Sequence, residues 1–299
     1  MTRATTTPQT DAAGHRAGVL MLVAAALLWS LNGLLIKTLG TEGVGGCTIA
    51  SGRSLIAAAF LLPVAMRRWK PIAEKRWVLA TILAFTGMTI SFVLATTLTT
   101  AANAIILQYT APAWVFIFSP LILRESASLR QWVALAGAMV GVAIIFFWQY
   151  TTEALGLTIA LTSGLVFGTQ SVLFRRVRAL DPVVLAFVTC AGSGLVLLGP
   201  ALLVDGPLPA GRPLLLLALM GVIQFGLPYV LYSAGVARVR VQEAILIVML
   251  EPVLNPVWVW LGPGETPSAG TILGGAIILA SVTYLALHRR PTARAPVAA

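Results

Sequence analysis

The 299 residues are 58% hydrophobic and 10% charged, against roughly 45–50% and about 25% in an ordinary soluble domain. A water-soluble globule could not keep such a surface wetted, so soluble classes are excluded. The net charge of +10 would point to nucleic acid in a soluble protein, but its placement along the chain points elsewhere. The apolar runs are continuous rather than alternating, which excludes a transmembrane β-barrel and leaves helices, whose backbones satisfy their own hydrogen bonds in lipid.

Residues 1–17 are Thr- and Pro-rich and read as a disordered cytoplasmic tail, and no small-residue cleavage pattern follows them, so the first apolar run is expected to be retained. A bilayer span takes about 20 apolar residues. Ten such stretches follow, at approximately 18–39, 47–66, 77–97, 101–123, 130–148, 154–174, 183–204, 213–235, 241–261 and 269–287, with residues 288–299 as a second cytoplasmic tail. The links between them, among them "GTEGVGG", "LDP", "DGPLPAGR" and "GPGETPS", carry the residues that end helices. The fold class is therefore an all-α membrane protein with ten transmembrane helices.

With the N-terminus in the cytoplasm, ten crossings place seventeen of the twenty Lys and Arg inside; Lys37 and Arg212 fall outside and Arg53 falls within a span. That is the positive-inside asymmetry, and it puts both termini in the cytoplasm of a cell whose inner membrane the chain spans. Trp69, Trp77 and Trp132 stand at inner boundaries and Trp148, Trp258 and Trp260 near outer ones, as interfacial belts would place them.

Several chemistries lose support. His15 and His288 lie in the tail and at the last boundary, and Asp11, Asp181 and Asp205 lie in the tail or links. No histidine is placed to ligate an intramembrane metal or act as a base, and no aspartyl pair can form there. Cys47 and Cys190 are isolated and read as small packing residues, and no glycine loop with its lysine cradles a phosphate. The chain is expected to be no enzyme and to need no cofactor and no metal. Nucleic acid is not an expected partner; the lipid bilayer and a small-molecule substrate are.

The two halves resemble each other. A shift of 140 places Phe85 on Phe225, Ala104-Ile105 on Ala244-Ile245, Pro112 on Pro252, Glu125 on Glu265 and Ser128 on Ser268; a shift of 138 places Trp29 on Phe167, Asn32 on Gln170 and Lys37 on Arg175. Residues 18–148 and 154–287 thus form two five-helix repeats. Five is odd, so the second copy enters the membrane from the opposite side. Such inverted repeats characterise secondary transporters, whose site lies between the halves near the midplane.

The segments "LLWSLNGLLIK", "ASGRSLIAAAF", "TTAANAIILQYTAPAWVFIFSPLILRES" and "GVARVRVQEAILIVMLEPVLNPVWVWLGPGE" resemble the ten-helix EamA-type members of the drug/metabolite transporter superfamily over nearly all of residues 18–287. The resemblance implies a secondary carrier, commonly an exporter of amino acids or other metabolites, including aromatic amino acid exporters. In one departure, Glu251 precedes the second repeat proline where the first has Ala111.

Helical spacing then selects lining residues. Trp29 and Asn32 share a face of span one with Gly33 and Ile36, and Phe167 and Gln170 share one of span six with Ser171 and Phe174, so an aromatic followed by a carboxamide recurs in both halves. Phe85, Thr89 and Phe92 align with Phe225, Tyr229 and Tyr232, and span four adds Gln108, Tyr109 and Trp114 beside Asn103. Flat apolar walls with a few hydrogen-bonding groups suit a small-molecule site; the alternative is helix packing. Pro112 and Pro252 lack the donors for residues 108 and 248 and are expected to kink their helices as hinges. Arg53, roughly 9 Å from the end of span two, and Glu251, near the centre of span nine, are deep charges that need a partner, water or protonation. Gly137 and Gly141, with Gly270 and Gly274, permit close helix approach, read as packing within a monomer rather than a homodimer. The reading is a secondary transporter exporting aromatic or apolar amino acids by alternating access; the contrasting reading is a non-transporting membrane sensor or scaffold on the same fold.

Overall fold

The computed structural model describes residues 9–99, 101–149, 154–261 and 269–287, and among these every regular element is helical. In chain order the α-helices are α1 Gln9–Trp29, α2 Asn32–Thr41, α3 Gly46–Arg67, α4 Lys75–Leu98, α5 Ala101–Gln108, α6 Ala111–Leu123, α7 Leu129–Gln149, α8 Ala154–Arg176, α9 Pro182–Pro200, α10 Arg212–Leu219, α11 Leu227–Arg238, α12 Val241–Ile247, α13 Leu250–Leu261 and α14 Ala269–Leu287. Wider π-helical turns extend α9 through Ala201–Asp205 and join α10 to α11 through Met220–Gly226.

Among the described residues eight helical runs are long and apolar enough to cross a bilayer, and α14 adds a shorter apolar run, 272–284. The outside of the molecule is oily: Leu203, Leu129, Phe147 and Leu121 are each at least three-quarters exposed. The inside holds Arg53, Glu251, Gln108, Gln170, Gln224 and Asn255, all buried. Lipid as solvent explains this arrangement, since the polar groups find partners only within the protein.

Two features correct the reading from sequence. The first helix begins at Gln9, so residues 9–17 of the expected disordered tail are helical; His15 approaches Glu243 at 3.3 Å and Gly18 lies against Arg238 and Val239, which ties this turn to the start of α12. Span one is not one helix but α1 and α2, parted at Ser30 and Leu31. The 1–8 and 288–299 tails, with Glu265, Ser268 and His288, lie outside the described residues.

Packing follows a two-fold exchange of the halves. The repeat pairs α3 with α9 and α7 with α14, and each of these pairs is in close contact. It also pairs α4 with α11 and α8 with α1, and the contacts of α4 with α8 and of α1 with α11 are therefore each other's images. Glycines set the α7–α14 approach: a Cβ on Gly141 would meet the Gly274 carbonyl at 2.6 Å, and one on Gly274 the Gly141 carbonyl at 2.5 Å. The small-residue spacing of both helices is thus used within the chain.

Candidate functional site

Three helix breaks and one widened turn converge at the centre. In the first half α5 stops at Gln108 and α6 starts at Ala111, with Tyr109 and Thr110 between them. Pro112 has no N–H for the Gln108 carbonyl, and that carbonyl rests against Gly164 of α8. In the second half α12 stops at Ile247 and α13 starts at Leu250; Pro252 has no N–H for the Val248 carbonyl, which accepts instead from Glu251 N at 3.0 Å in a tighter turn. Both expected kinks thus exist as full breaks, two to four residues before their prolines. The third break parts α1 from α2. Asn255 Nδ2 donates to the Ser30 carbonyl at 2.9 Å and Trp258 Nε1 to Ser30 Oγ at 2.6 Å. Trp258 therefore holds this break rather than serving as an interfacial belt residue. In the π-turn, Pro228 leaves the Gln224 carbonyl without its usual donor, and Gly221 lets the turn sit on the Arg53 carbonyl and Ile56 of α3.

Around these breaks lies a small cavity lined by Trp29, Asn32, Arg53, Met88, Phe92, Gln108, Phe167, Phe225, Tyr229 and Glu251, residues of both halves. Its volume, about 20 Å³, holds roughly one water. Arg53 is 1% exposed. Its Nη1 donates to Asn32 Oδ1 at 3.1 Å, its Nη2 barely reaches the Thr89 carbonyl at 3.5 Å, and its guanidinium lies 4.3 Å from the Phe225 ring centre. Glu251 is 4% exposed, and Tyr109 Oη lies 2.6 Å from its Oε2 and 2.8 Å from the Val248 carbonyl. Among the described residues neither Arg53 nor Glu251 has an opposite charge within ion-pairing distance.

The polar groups here are under-used. Arg53 Nε, Thr89 Oγ1 and both amide atoms of Gln170 are buried with no hydrogen-bond partner among the described residues. Buried polar atoms are nearly always paired, so a cluster of exceptions marks a place where water or ligand completes the set. The apolar walls are dense by contrast. Trp29 sits 4.9 Å from Tyr229, 5.1 Å from Tyr232 and 6.2 Å from Phe167, and Phe85 lies 4.6 Å from Tyr229 and 5.6 Å from Phe225.

Most residues selected from sequence meet here. Trp29, Asn32, Gln108, Phe167, Phe225, Tyr229, Arg53 and Glu251 line the cavity, and Tyr109 touches Glu251. Gln108 also donates to Ser163 Oγ at 2.7 Å, which fixes α5 to α8. Gln170 and Tyr232 sit behind the lining, Tyr232 donating to Ser171 Oγ at 2.7 Å. Trp114 is a correction: it stacks 6.0 Å from Phe118 and covers Gly168, outside the cavity wall. The Asn103 side chain lies outside the described residues. Met88, Ser30, Asn255 and Ser163 were not selected. Asn255 carried a signal, being an amide one turn beyond Glu251, whereas Met88 offered none in an apolar run.

The helix ends sort into two sets. In one, Glu42 pairs with Arg212 at 3.0 Å, Asp205 accepts from Thr48 N at 2.6 Å and Lys37 Nζ donates to the Thr99 carbonyl at 3.2 Å. In the other, Arg175 pairs with Glu125 at 3.0 Å and also caps the Val236 and Ala237 carbonyls, Arg176 pairs with Glu74 at 2.7 Å, and Arg68 approaches Asp181 at 3.6 Å. Gln242 Nε2 donates to Ser119 Oγ and the Glu125 carbonyl, closing the chain at this second, basic end.

A solved structure described as "Crystal structure of protein" superposes with a TM-score of 0.77 at 19% identity, covering 91% of this chain and 97% of its own, so the two share a fold. An "Uncharacterized transporter" of Archaeoglobus fulgidus is 28% identical over 271 residues, 89% of this chain and 95% of that protein. The sequence profile of the EamA-like transporter family matches twice, over residues 16–147 and 154–287. A chain whose two halves each match that profile, and whose spans pack around one shared polar centre, belongs to the EamA-like transporter family and is a multi-pass membrane transporter.

Proposed function

We propose that the protein exports small metabolites, most fittingly aromatic or apolar amino acids, from the cytoplasm across the inner membrane by alternating access. The observation that carries this is the central cavity: both repeats contribute to it, and it joins a guanidinium with no ion-pair partner among the described residues, a lone carboxyl group and two amides to a wall of rings. A zwitterion needs a cation for its carboxylate and an acceptor for its ammonium group. Arg53 and Glu251 face one space and can meet both. Aromatic walls add about 0.5–1.5 kcal/mol for a ring beyond its area burial. With room for about one water, the cavity is too small for an amino acid in this conformation; substrate entry requires the halves to part, and the breaks at Tyr109–Thr110 and Val248–Met249 beside Pro112 and Pro252 are the hinges we assign to that motion.

The same reading takes ten crossings in two inverted five-helix repeats, with both termini and the basic end in the cytoplasm and a monomer as the working unit. Purified protein in liposomes loaded with labelled amino acids should release them, phenylalanine, tyrosine and tryptophan fastest. Silence across a broad panel would return the chain to a membrane sensor or scaffold. Single cysteines at Gly206 and Lys70, with Cys47 and Cys190 replaced, should label from opposite sides, Gly206 outside and Lys70 inside. Labelling from one side would sink the inverted arrangement.

A further inference from the structure

The contacts of Glu251 allow its hydrogens to be counted. Tyr109 Oη lies 2.8 Å from the Val248 carbonyl oxygen and 2.6 Å from Glu251 Oε2. Both are hydrogen-bond distances, yet a phenol owns one hydrogen and a carbonyl can only accept. The Val248 carbonyl already accepts from the Glu251 N–H at 3.0 Å and keeps a second lone pair, so the phenol oxygen can approach it to 2.8 Å only by donating its own hydrogen. The second contact then needs a hydrogen from the other side, and the group there is the carboxyl of Glu251. One chain satisfies both: Glu251 donates to Tyr109, and Tyr109 donates to Val248.

The surroundings agree with a neutral acid. Glu251 is buried, and an isolated buried carboxylate is neutralised rather than left charged. The ionisable groups that face it are Tyr109 at the α5–α6 break, Arg53 of α3 and Tyr229 of α11 across the cavity; the rest of the lining is neutral. Arg53 stays beyond ion-pairing distance and is occupied with Asn32 and the Phe225 ring.

We infer that Glu251 carries a proton in the empty site and gives it up to bind the substrate's ammonium group, so that the transporter exchanges substrate for protons. This rests on the amino acid transport reading. The step balances: the Glu251 O–H bond breaks, the proton leaves to the side on which substrate enters, and an ionised carboxylate faces an ammonium group while the substrate carboxylate faces Arg53. The empty site then holds one positive charge, on Arg53, and the loaded site none. Exchange of one zwitterion for one proton therefore moves one positive charge across the membrane. Tyr109 gains a role too: it is a positioning residue that ties the first-half break to the second through the Val248 carbonyl and holds the Glu251 carboxyl group beside it.

Two measurements test this, one of them independent of any substrate. In pH-difference infrared spectra of the full chain in lipid, a protonated carboxyl band should be present in the wild type, absent in Glu251→Gln, and shifted to higher frequency in Tyr109→Phe, where its hydrogen-bond partner is gone. Absence of a Glu251-dependent band overturns the inference. In liposomes with labelled phenylalanine and the voltage held at zero by potassium and valinomycin, an interior one pH unit more acidic should drive up to about tenfold accumulation, the equivalent of about 1.4 kcal/mol per proton. Glu251→Gln donates to Tyr109 as the protonated acid does, so it should keep its unfolding midpoint while losing the carboxylate that faces the ammonium group and, with it, all gradient-driven accumulation. Downhill flux in the wild type with no response to the pH gradient overturns proton exchange and leaves the transport reading standing. Absence of flux for every amino acid overturns the transport reading, and proton exchange with it, whatever the infrared band shows.

Discussion

The same helix–helix contact occurs twice in this protein and is built from opposite chemistry. In one copy α6 of the first half lies on α8 of the second: a Cβ on Gly168 would meet Trp114 Cβ at 2.7 Å and the Ala111 carbonyl at 2.8 Å, and α8 runs unbroken past this point. The repeat maps that contact onto α13 and α1, where Gly168 becomes Ser30, Val115 becomes Asn255 and Phe118 becomes Trp258. Here the contact is polar, with two side-chain donors on Ser30, and α1 breaks. The difference shows what a break requires in lipid. A released carbonyl needs a donor, and the contact that supplies one from the facing helix can interrupt a backbone, while the contact that supplies a glycine for close packing keeps its helix intact.

The largest effect is expected where space runs out. Gly168→Leu forces a side chain into Trp114 and a backbone carbonyl, so it should cost about 3 kcal/mol, the upper part of the range for overpacking; a lowered unfolding midpoint in detergent and a reduced yield of monodisperse protein would show it. If Gly168→Leu melts like the wild type, the α6–α8 contact is looser than described. Removing the donor from the polar copy is milder. Asn255→Val should cost about 1–3 kcal/mol by orphaning the Ser30 carbonyl. Adding Trp258→Phe reproduces the Val115 and Phe118 pattern and should let α1 run straight, seen as slower hydrogen exchange at Leu31–Leu35. Unchanged exchange there would mean that the break is held by something other than Asn255 and Trp258.

The carboxamides one turn further on sharpen the contrast. Asn32 and Gln170 occupy equivalent places in the repeat and are indistinguishable from sequence, which predicts equal consequences when either becomes Leu. The structure separates them. Asn32 accepts from the buried Arg53, whereas among the described residues neither amide atom of Gln170 makes a well-formed hydrogen bond, its amide only facing the Tyr229 hydroxyl. Asn32→Leu should cost about 1.5–3 kcal/mol, the range for a hydrogen bond to a charged group. Gln170→Leu removes an amide that no well-formed hydrogen bond satisfies and should leave the unfolding midpoint unchanged or raised. If it also slows transport, the open amide serves substrate; equal destabilisation by both changes would restore the symmetry read from sequence.

Span positions, the repeat and most lining residues were legible because each rests on a local rule: apolar length, charge in the links, and side chains one turn apart. The prolines told where the two matched breaks would fall, since a missing donor is a property of one residue. The break in span one was not legible. "LLWSLNGLL" has no proline, and its interruption depends on Asn255 and Trp258, more than two hundred residues away. The π-turn at Met220–Gly226 is similarly set by Gly221 and Gly226 packing on α3, a contact no local pattern encodes. Trp114 shares the stripe of Asn103 and Thr110 by spacing, but α5 ends at Gln108 and α6 begins at Ala111, so the spacing does not carry across the turn and Trp114 lies against Phe118 and Gly168. Periodicity holds only as far as the helix does.

The smallest effect separates the two aromatic counterparts themselves. Trp29 stands between Tyr229, Tyr232 and Phe167 and lines the cavity beside the break, while Phe167 lines it from the unbroken α8 and meets Trp29 edge-on, at 82° between ring planes. A substrate ring entering from the broken side displaces no backbone and stacks first on Trp29. Ring contacts are worth about 0.5–1.5 kcal/mol beyond burial, which converts to about two- to tenfold in preference. Trp29→Ala should therefore lower phenylalanine transport relative to leucine by that factor, and Phe167→Ala should lower it less. Rates for the two substrates, each normalised to folded protein in the same liposomes, decide between the outcomes. Equal loss for leucine and phenylalanine would assign Trp29 to packing alone, and a larger loss of preference at Phe167 would place the substrate ring against the unbroken half.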